Sequence, residues 1–181
     1  MLLFLGKGKG ELSSDQAILS EFYRTIWREE KGYVYLALRD PAKGKDDPGY
    51  WQRRFFEWPT EEHLVIQTTI NERASYDVYF APSLFREASS KKEALLGSFC
   101  FWLEFDGSMP VDLGDVPNPN IIVQTSTETH QHLYWCVDQL MEQDRIETVN
   151  QSLAYTLGAD VSGWDANQVL RPPQTLNHKK K

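Results

Sequence analysis

Three short stretches carry side chains whose types and spacing could do chemistry. FWLEFDG, residues 101–107, ends an aromatic and aliphatic run with Glu104 and Asp106. On an extended strand these two carboxylates share a face with Trp102, while Phe101, Leu103 and Phe105 line the other. Each charge opposes ionisation of its neighbour unless a cation or a strong donor stands between them. The pair is therefore either a set of solvated charges near a turn or a seat for a hard divalent cation, which prefers oxygen ligands.

HQHLYW, residues 130–135, has the same alternation. If Leu133, Trp135 and Val137 fill a core, His130, His132 and Tyr134 share the opposite face. Two imidazoles placed so are an exposed or hydrogen-bonded pair, phosphate donors, or ligands for a transition metal. The third stretch, GADVSGWDANQVLRPPQTLNHK, holds Asp160, Asp165, Arg171 and Lys179. Asp165 reads as a cap for the short segment ANQVLR. Arg171 and Lys179 suit either a solvated surface or a polyphosphate, Arg by its fork and Lys as a point charge.

The elements that must position these residues are legible as pattern. An amphipathic helix is expected from Ser14 to about Glu30, capped by Ser or Asp and stopped by Gly32. GYVYLALRDP reads as a strand closed by proline, AKGKDDPGYWQ as a loop, and PTEEHLVIQTTI as a helix capped by Thr60. YDVYF, residues 76–80, is a short strand, SSKKEALL a short capped helix, and LGSFCFWLEF the strand that delivers the acidic pair. IIVQT and HQHLYWCV form a hairpin across STET, and residues 138–157 read as helical, with a break near Gln143 and a stop at Gly158. The predicted class is α+β with antiparallel pairing in the middle of the chain.

Composition narrows the options. The chain has 181 residues, 41% of them hydrophobic, with six Trp, eight Tyr and nine Phe, enough for one substantial core. No stretch approaches the roughly 18 unbroken apolar residues of a membrane span, and the N-terminal apolar run is too short for a signal peptide, so a cytoplasmic location is expected. Cys100 and Cys136 lie 36 positions apart with no CxxC pair, which reads as two buried free thiols. A net charge of −7 argues against a general DNA coat, so any nucleic-acid contact must be local. GKGKG, residues 6–10, lacks phosphate-loop spacing and reads as a flexible terminus, while Tyr155 in its helical context reads as a packing residue.

Taken together and in this order, the three stretches resemble the archaeo-eukaryotic primase superfamily, in particular the RepB-like primase-polymerase domains of plasmid and phage replication proteins. The similarity spans roughly residues 76–180 and is most specific in VLRPPQTLNHK; YDVYFAPSLF also resembles the family segment that precedes the acidic strand. It implies a fold in which an N-terminal αβ unit, to about residue 75, packs on an RRM-like catalytic unit from about residue 76, with the active site between them. It implies that Glu104, Asp106 and Asp160 bind two Mg²⁺ or Mn²⁺ ions, with Asp160 favoured over Asp165 by its distance to VLR. It further implies that His132, Arg171, Lys179 and Asn177 hold a nucleotide's phosphates, with His130, and that the role of the family's serine is either lost or supplied by Ser126 or Thr129. The first acid is Glu where Asp is commoner, and His130-Gln-His132 replaces Ser-x-His.

The activity so implied is template-directed nucleotidyl transfer from NTP or dNTP on single-stranded DNA with a primer strand, beside a helicase or further domains of a replication protein. By the same resemblance the chain is either a fragment of such a protein or a compact enzyme. Two rivals differ in class. A rolling-circle nuclease would use His130 and His132 as metal ligands and Tyr155 as nucleophile. A non-catalytic DNA-binding module would carry the acidic pair without using it.

Overall fold

The computed structural model describes residues 2–4, 12–107, 113–125 and 129–178. GKGKG, Ser126 and Lys179 lie outside the described residues. The described chain runs β1 (Leu2–Phe4), α1 (Leu12–Trp27), β2 (Gly32–Arg39), β3 (Trp51–Trp58), α2 (Glu62–Glu72), β4 (Asp77–Phe80), β5 (Leu84–Phe85), β6 (Leu95–Asp106), β7 (Ile121–Gln124), β8 (His130–Met141) and α3 (Gln143–Leu157). The strands form one sheet in the order β1-β7-β8-β6-β5-β2-β3, with β4 also paired to β2. Every pairing is antiparallel except β1 with β7. This is the mostly antiparallel α+β class expected from the sequence, including the β7–β8 hairpin.

Strand β6 joins the two halves of the sheet. Its first residues pair with β5 and the remainder with β8, with a register shift between Ser98 and Cys100. Gly97 makes the crossing possible: a β-carbon there would lie 2.5 Å from the Met141 carbonyl oxygen, closer than any side chain allows. The strict alternation of β6 then buries both faces. Phe101, Leu103 and Phe105 pack with Leu133, Trp135 and Ala154 of α3. Trp102 joins Tyr134 and the aromatic residues of α1 on the other face, where Phe22 stacks edge-on against Tyr134 at 5.9 Å.

The edge of β6 beyond Gly97 that faces away from β8 is finished by side chains and loop. The Asn150 side-chain oxygen accepts from the Trp102 backbone N–H at 3.0 Å, and the Trp102 indole N–H donates to the Gly163 carbonyl at 3.1 Å. The Asp160 N–H donates to the Glu104 carbonyl at 3.0 Å. A buried donor deprived of its acceptor costs about 1–3 kcal/mol. Asn150→Leu is therefore expected to lower the unfolding free energy by about that amount, read from urea denaturation; an unchanged midpoint would refute this role for Asn150.

Several expected elements differ. WQRRFFEW, left unassigned beyond Gln52, is the edge strand β3, whose outward residues are mostly polar because only Phe56 and Trp58 are buried. SSKKEALL holds only a single 3₁₀ turn at Lys92–Ala94, and β6 captures Leu95. The helix expected from residue 138 starts at Gln143, since β8 runs to Met141 to stay paired with β6. The break foreseen near Gln143 is that helix's beginning. Glu61, not Thr60, precedes α2, and ANQVLR forms no helix. Asp165 instead pairs with Lys92 at 2.5 Å. Ser14 and Asp15 lie inside α1, where Asp15 is buried against Arg73 at 2.8 Å. Cys136 is half-buried rather than buried, and the Cys100 thiol donates to it at 3.0 Å.

Candidate active site

The two like-charged residues of β6 meet the two histidines of β8 in direct register. Glu104 stands opposite His132, and Asp106 opposite His130. Side chains directly opposite on one face of an antiparallel pair are close neighbours, so the ladder stacks two carboxylates against two imidazoles. His132 is 3% exposed, with Nε2 3.4 Å from the Glu104 carboxylate. Burial pushes the Glu104 carboxyl up, but the His132 hydrogen bond and charge outweigh it, with help from Arg171 and against the nearby Asp160. Its net shift is below the ordinary glutamate range, so Glu104 is held ionised. The other ring nitrogen of His132, Nδ1, is buried with no hydrogen-bond partner among the described residues.

These residues line one cleft of about 380 Å³ that opens between the halves of the sheet. Glu104, Asp106, His130, His132 and Thr125 come from the β6–β8 half. Trp51 and Tyr79 come from β3 and β4. Phe80 packs on Phe22, Tyr23 and Trp27 of α1, so alternation turns Tyr79 to the other face of β4, with Asp77. The third wall is the segment after α3, which contributes Gln168, Val169, Arg171 and Asn177.

That segment is irregular yet firmly held. Gly158, at φ 67°, ends α3 and turns the chain back. Leu170 then exchanges both backbone hydrogen bonds with Phe80, at 2.8 and 2.9 Å. Beyond Leu170 the chain is anchored by the fully buried Asp77. It accepts from the Arg39 guanidinium, from Arg171 Nη1 at 3.2 Å and from the His178 N–H at 2.7 Å. Burial pushes the Asp77 carboxyl up, but the His178 N–H and the two arginines bring it to a net value below the ordinary aspartate range. Arg171 also donates to the Leu176 carbonyl and the Tyr79 hydroxyl, with its guanidinium 4.7 Å from the centre of the Tyr79 ring.

The structure thus gathers Glu104, Asp106, His130, His132, Arg171 and Asn177 around one cleft. Asp160 lies in a shallow depression shared with Asp106, close enough to Glu104 to oppose its ionisation. Its carboxylate caps the Ser162 N–H at 2.8 Å. Among the described residues no three His, Cys, Asp or Glu side chains form a ready metal cage. The carboxylates nevertheless suit a hard cation, being crowded oxygen ligands of which Glu104 is held ionised. Asp77, Tyr79 and Trp51 were absent from the expected site, because the burial that gives Asp77 its role is a property of the folded chain.

The rolling-circle arrangement finds no support in this geometry. Tyr155 is 69% exposed on α3, and α3 packs on the face of the sheet opposite His132. The packing role expected for Tyr155 fails for the same reason.

The fold is shared with solved primase structures. The crystal structure of primase RepB' superposes with a TM-score of 0.65 and 17% identity, covering 92% of this chain and 52% of that one. The primase-polymerase domain of cyanophage S-2L gives 0.62 and 14%, covering 89% and 83%. The catalytic domain of RepB' in complex with initiator DNA gives 0.57 and 14%, covering 87% and 75%. The chain therefore spans about half the length of the first of these. More particularly, residues 106–181 match the family described as the RepB DNA-primase N-terminal domain. That span begins at Asp106 and takes in Asp160 and the VLRPPQTLNHK segment, with Glu104 just upstream. No curated protein matches the chain by sequence. No helix among the described residues is long and apolar enough to cross a membrane.

Proposed function

We propose that this chain is the catalytic domain of a replication primase-polymerase, joining nucleotides on a single-stranded DNA template. One observation carries the reading: the acidic pair of β6 stands in register with the histidine pair of β8, inside a cleft walled by Arg171 and Asn177. The fold shared with primases and the family match over residues 106–181 support it.

Glu104, Asp106 and Asp160 would hold Mg²⁺ or Mn²⁺, and the cations, when bound, would neutralise charge on the phosphates and on the attacking hydroxyl. The protein's own groups do the rest. Glu104 stays ionised at neutral pH because His132 and Arg171 favour its charge. His132 keeps that carboxylate oriented toward the cleft. His130, Asn177 and Arg171 line the walls as donors for phosphate oxygens, with Lys179 and Ser126 assigned to the same task. Arg171 is also committed to Asp77, so it acts as a fixed charge rather than a mobile arm. The net charge of −7 is compatible with this work, because only the path of the template need be basic.

The test is extension of a labelled primer, and dinucleotide synthesis without one, on single-stranded DNA with Mg²⁺ or Mn²⁺ and each of the four NTPs or dNTPs. Products lengthening according to the template are expected. DNA binding without any synthesis would favour the non-catalytic module.

A further inference from the structure

We propose that Trp51 is the stacking platform for the base of the incoming nucleotide, an assignment that rests on the nucleotidyl-transfer reading above. Trp51 is one of the few large apolar side chains left exposed, at 40%, and it lines the cleft that holds Glu104, Asp106 and Arg171. An indole open to solvent beside charged groups forfeits the burial that normally stabilises it, unless a flat apolar partner covers it.

Its neighbours hold the ring in place. Tyr79 lies 5.5 Å away at 58°, and Tyr50 meets it edge-on at 5.8 Å and 76°. Tyr79 is itself fixed beneath the Arg171 guanidinium. A continuous run of contacts therefore leads from Arg171 over the face of Tyr79 to the tilted ring of Trp51. A platform held this way loses little freedom on binding.

A nucleotide presents anionic phosphates and a flat base, separated by its sugar. The cleft has a matching division, with the carboxylates, histidines and Arg171 on one side and the indole on another. Its volume of about 380 Å³ suits one small molecule rather than a strand. A template strand carries the same two chemistries, so it is the size of the cleft that favours a single nucleotide as its occupant. Because every base has a π-face, the platform is expected to serve all four nucleotides alike.

The test combines binding and synthesis. Equilibrium dialysis with Mn²⁺ measures each dNTP and a base-free deoxyribose triphosphate on wild type, Trp51→Ala and Trp51→Phe; fluorescence anisotropy measures single-stranded DNA. Trp51→Ala should weaken all four dNTPs about tenfold, the scale of one base stacked on one aromatic ring. It should leave the base-free triphosphate and the DNA unaffected, and Trp51→Phe should recover most of the loss. In synthesis the same change should appear in KM with kcat unmoved.

An equal loss for the base-free triphosphate would overturn the assignment, because Trp51 would then act through the shape of the cleft. Weaker DNA binding with unchanged dNTP binding would overturn it in favour of a template contact. Unaltered dNTP affinity in a Trp51→Ala protein that still extends primers would overturn it while leaving the primase reading intact. A base-dependent loss in a protein that never extends a primer would uphold the platform and defeat the primase reading.

Discussion

Replacing both β6 carboxylates, as Glu104→Gln with Asp106→Asn, is expected to reduce primer extension by about three orders of magnitude while the protein still folds. The size comes from the chemistry: stabilising transition-state charge at a metal is worth several kcal/mol, and each 1.36 kcal/mol is tenfold in rate. The fold should survive because neither carboxylate supports the core. Asp106 is exposed, and Gln at 104 keeps an oxygen that can accept from His132. Removing two neighbouring like charges also relieves the repulsion that Asp160 adds at Glu104. The measurement is single-turnover extension with Mg²⁺ and with Mn²⁺, alongside a thermal melt. Full synthesis by a folded double variant would show that the reaction centre lies elsewhere. Unfolding of the variant would show instead that these charges are structural.

The largest effect on stability is expected at Asp77, a residue that touches no substrate in this mechanism. Asp77→Asn leaves Arg39 and Arg171 buried or half-buried without their counter-charge. Removing one partner from a buried ion pair costs about 3–5 kcal/mol. For a chain of this length the melting temperature should fall by on the order of 10 °C. The acid limb gives the sign. The Asp77 carboxyl titrates lower in the folded protein than in the unfolded chain, so the unfolded chain binds more protons as pH falls. The contribution of Asp77 is then complete above the ordinary aspartate value of about 3.9 and is lost as pH drops from there through the lower folded value. The melting temperatures of wild type and Asp77→Asn should therefore converge below about pH 4. A constant gap between them down to pH 3 would exclude this carboxylate as the source. Because Asp77 also seats Arg171 and the His178 N–H, the variant should bind nucleotide poorly even at temperatures where it remains folded.

The acidic pair and Asp77 mark the boundary of what pattern alone reveals. Glu104 and Asp106 were legible because a period of two is a local property of a strand, and it holds from Cys100, past the register shift, to the charges. His130 and His132 were legible for the same reason on β8. Asp77 was not, since an Asp in YDVYF looks like any polar residue of a half-exposed strand until two arginines, 38 positions before it and 94 after it, close around it. β3 was missed because an edge strand needs only one buried face and carries charges that imitate a loop. The strand residues 138–141 read as helix because their pairing with β6 is a long-range contact that no local window contains.

The sequence by itself determined the α+β class, the faces of β6 and β8, the hairpin that precedes the histidines and the resemblance carried by VLRPPQTLNHK. Each rests on interactions within a strand or between neighbours in the chain. Only the tertiary structure decided that Glu104 faces His132 residue for residue, that Asp160 is tied to the Glu104 backbone, and that Arg171 shares a buried carboxylate with Arg39. It also decided that Trp51, read as the end of a loop, begins a strand and stands at the same cleft. Register between distant strands is set by burying two hydrophobic faces at once, a condition of the whole sheet that no local segment encodes.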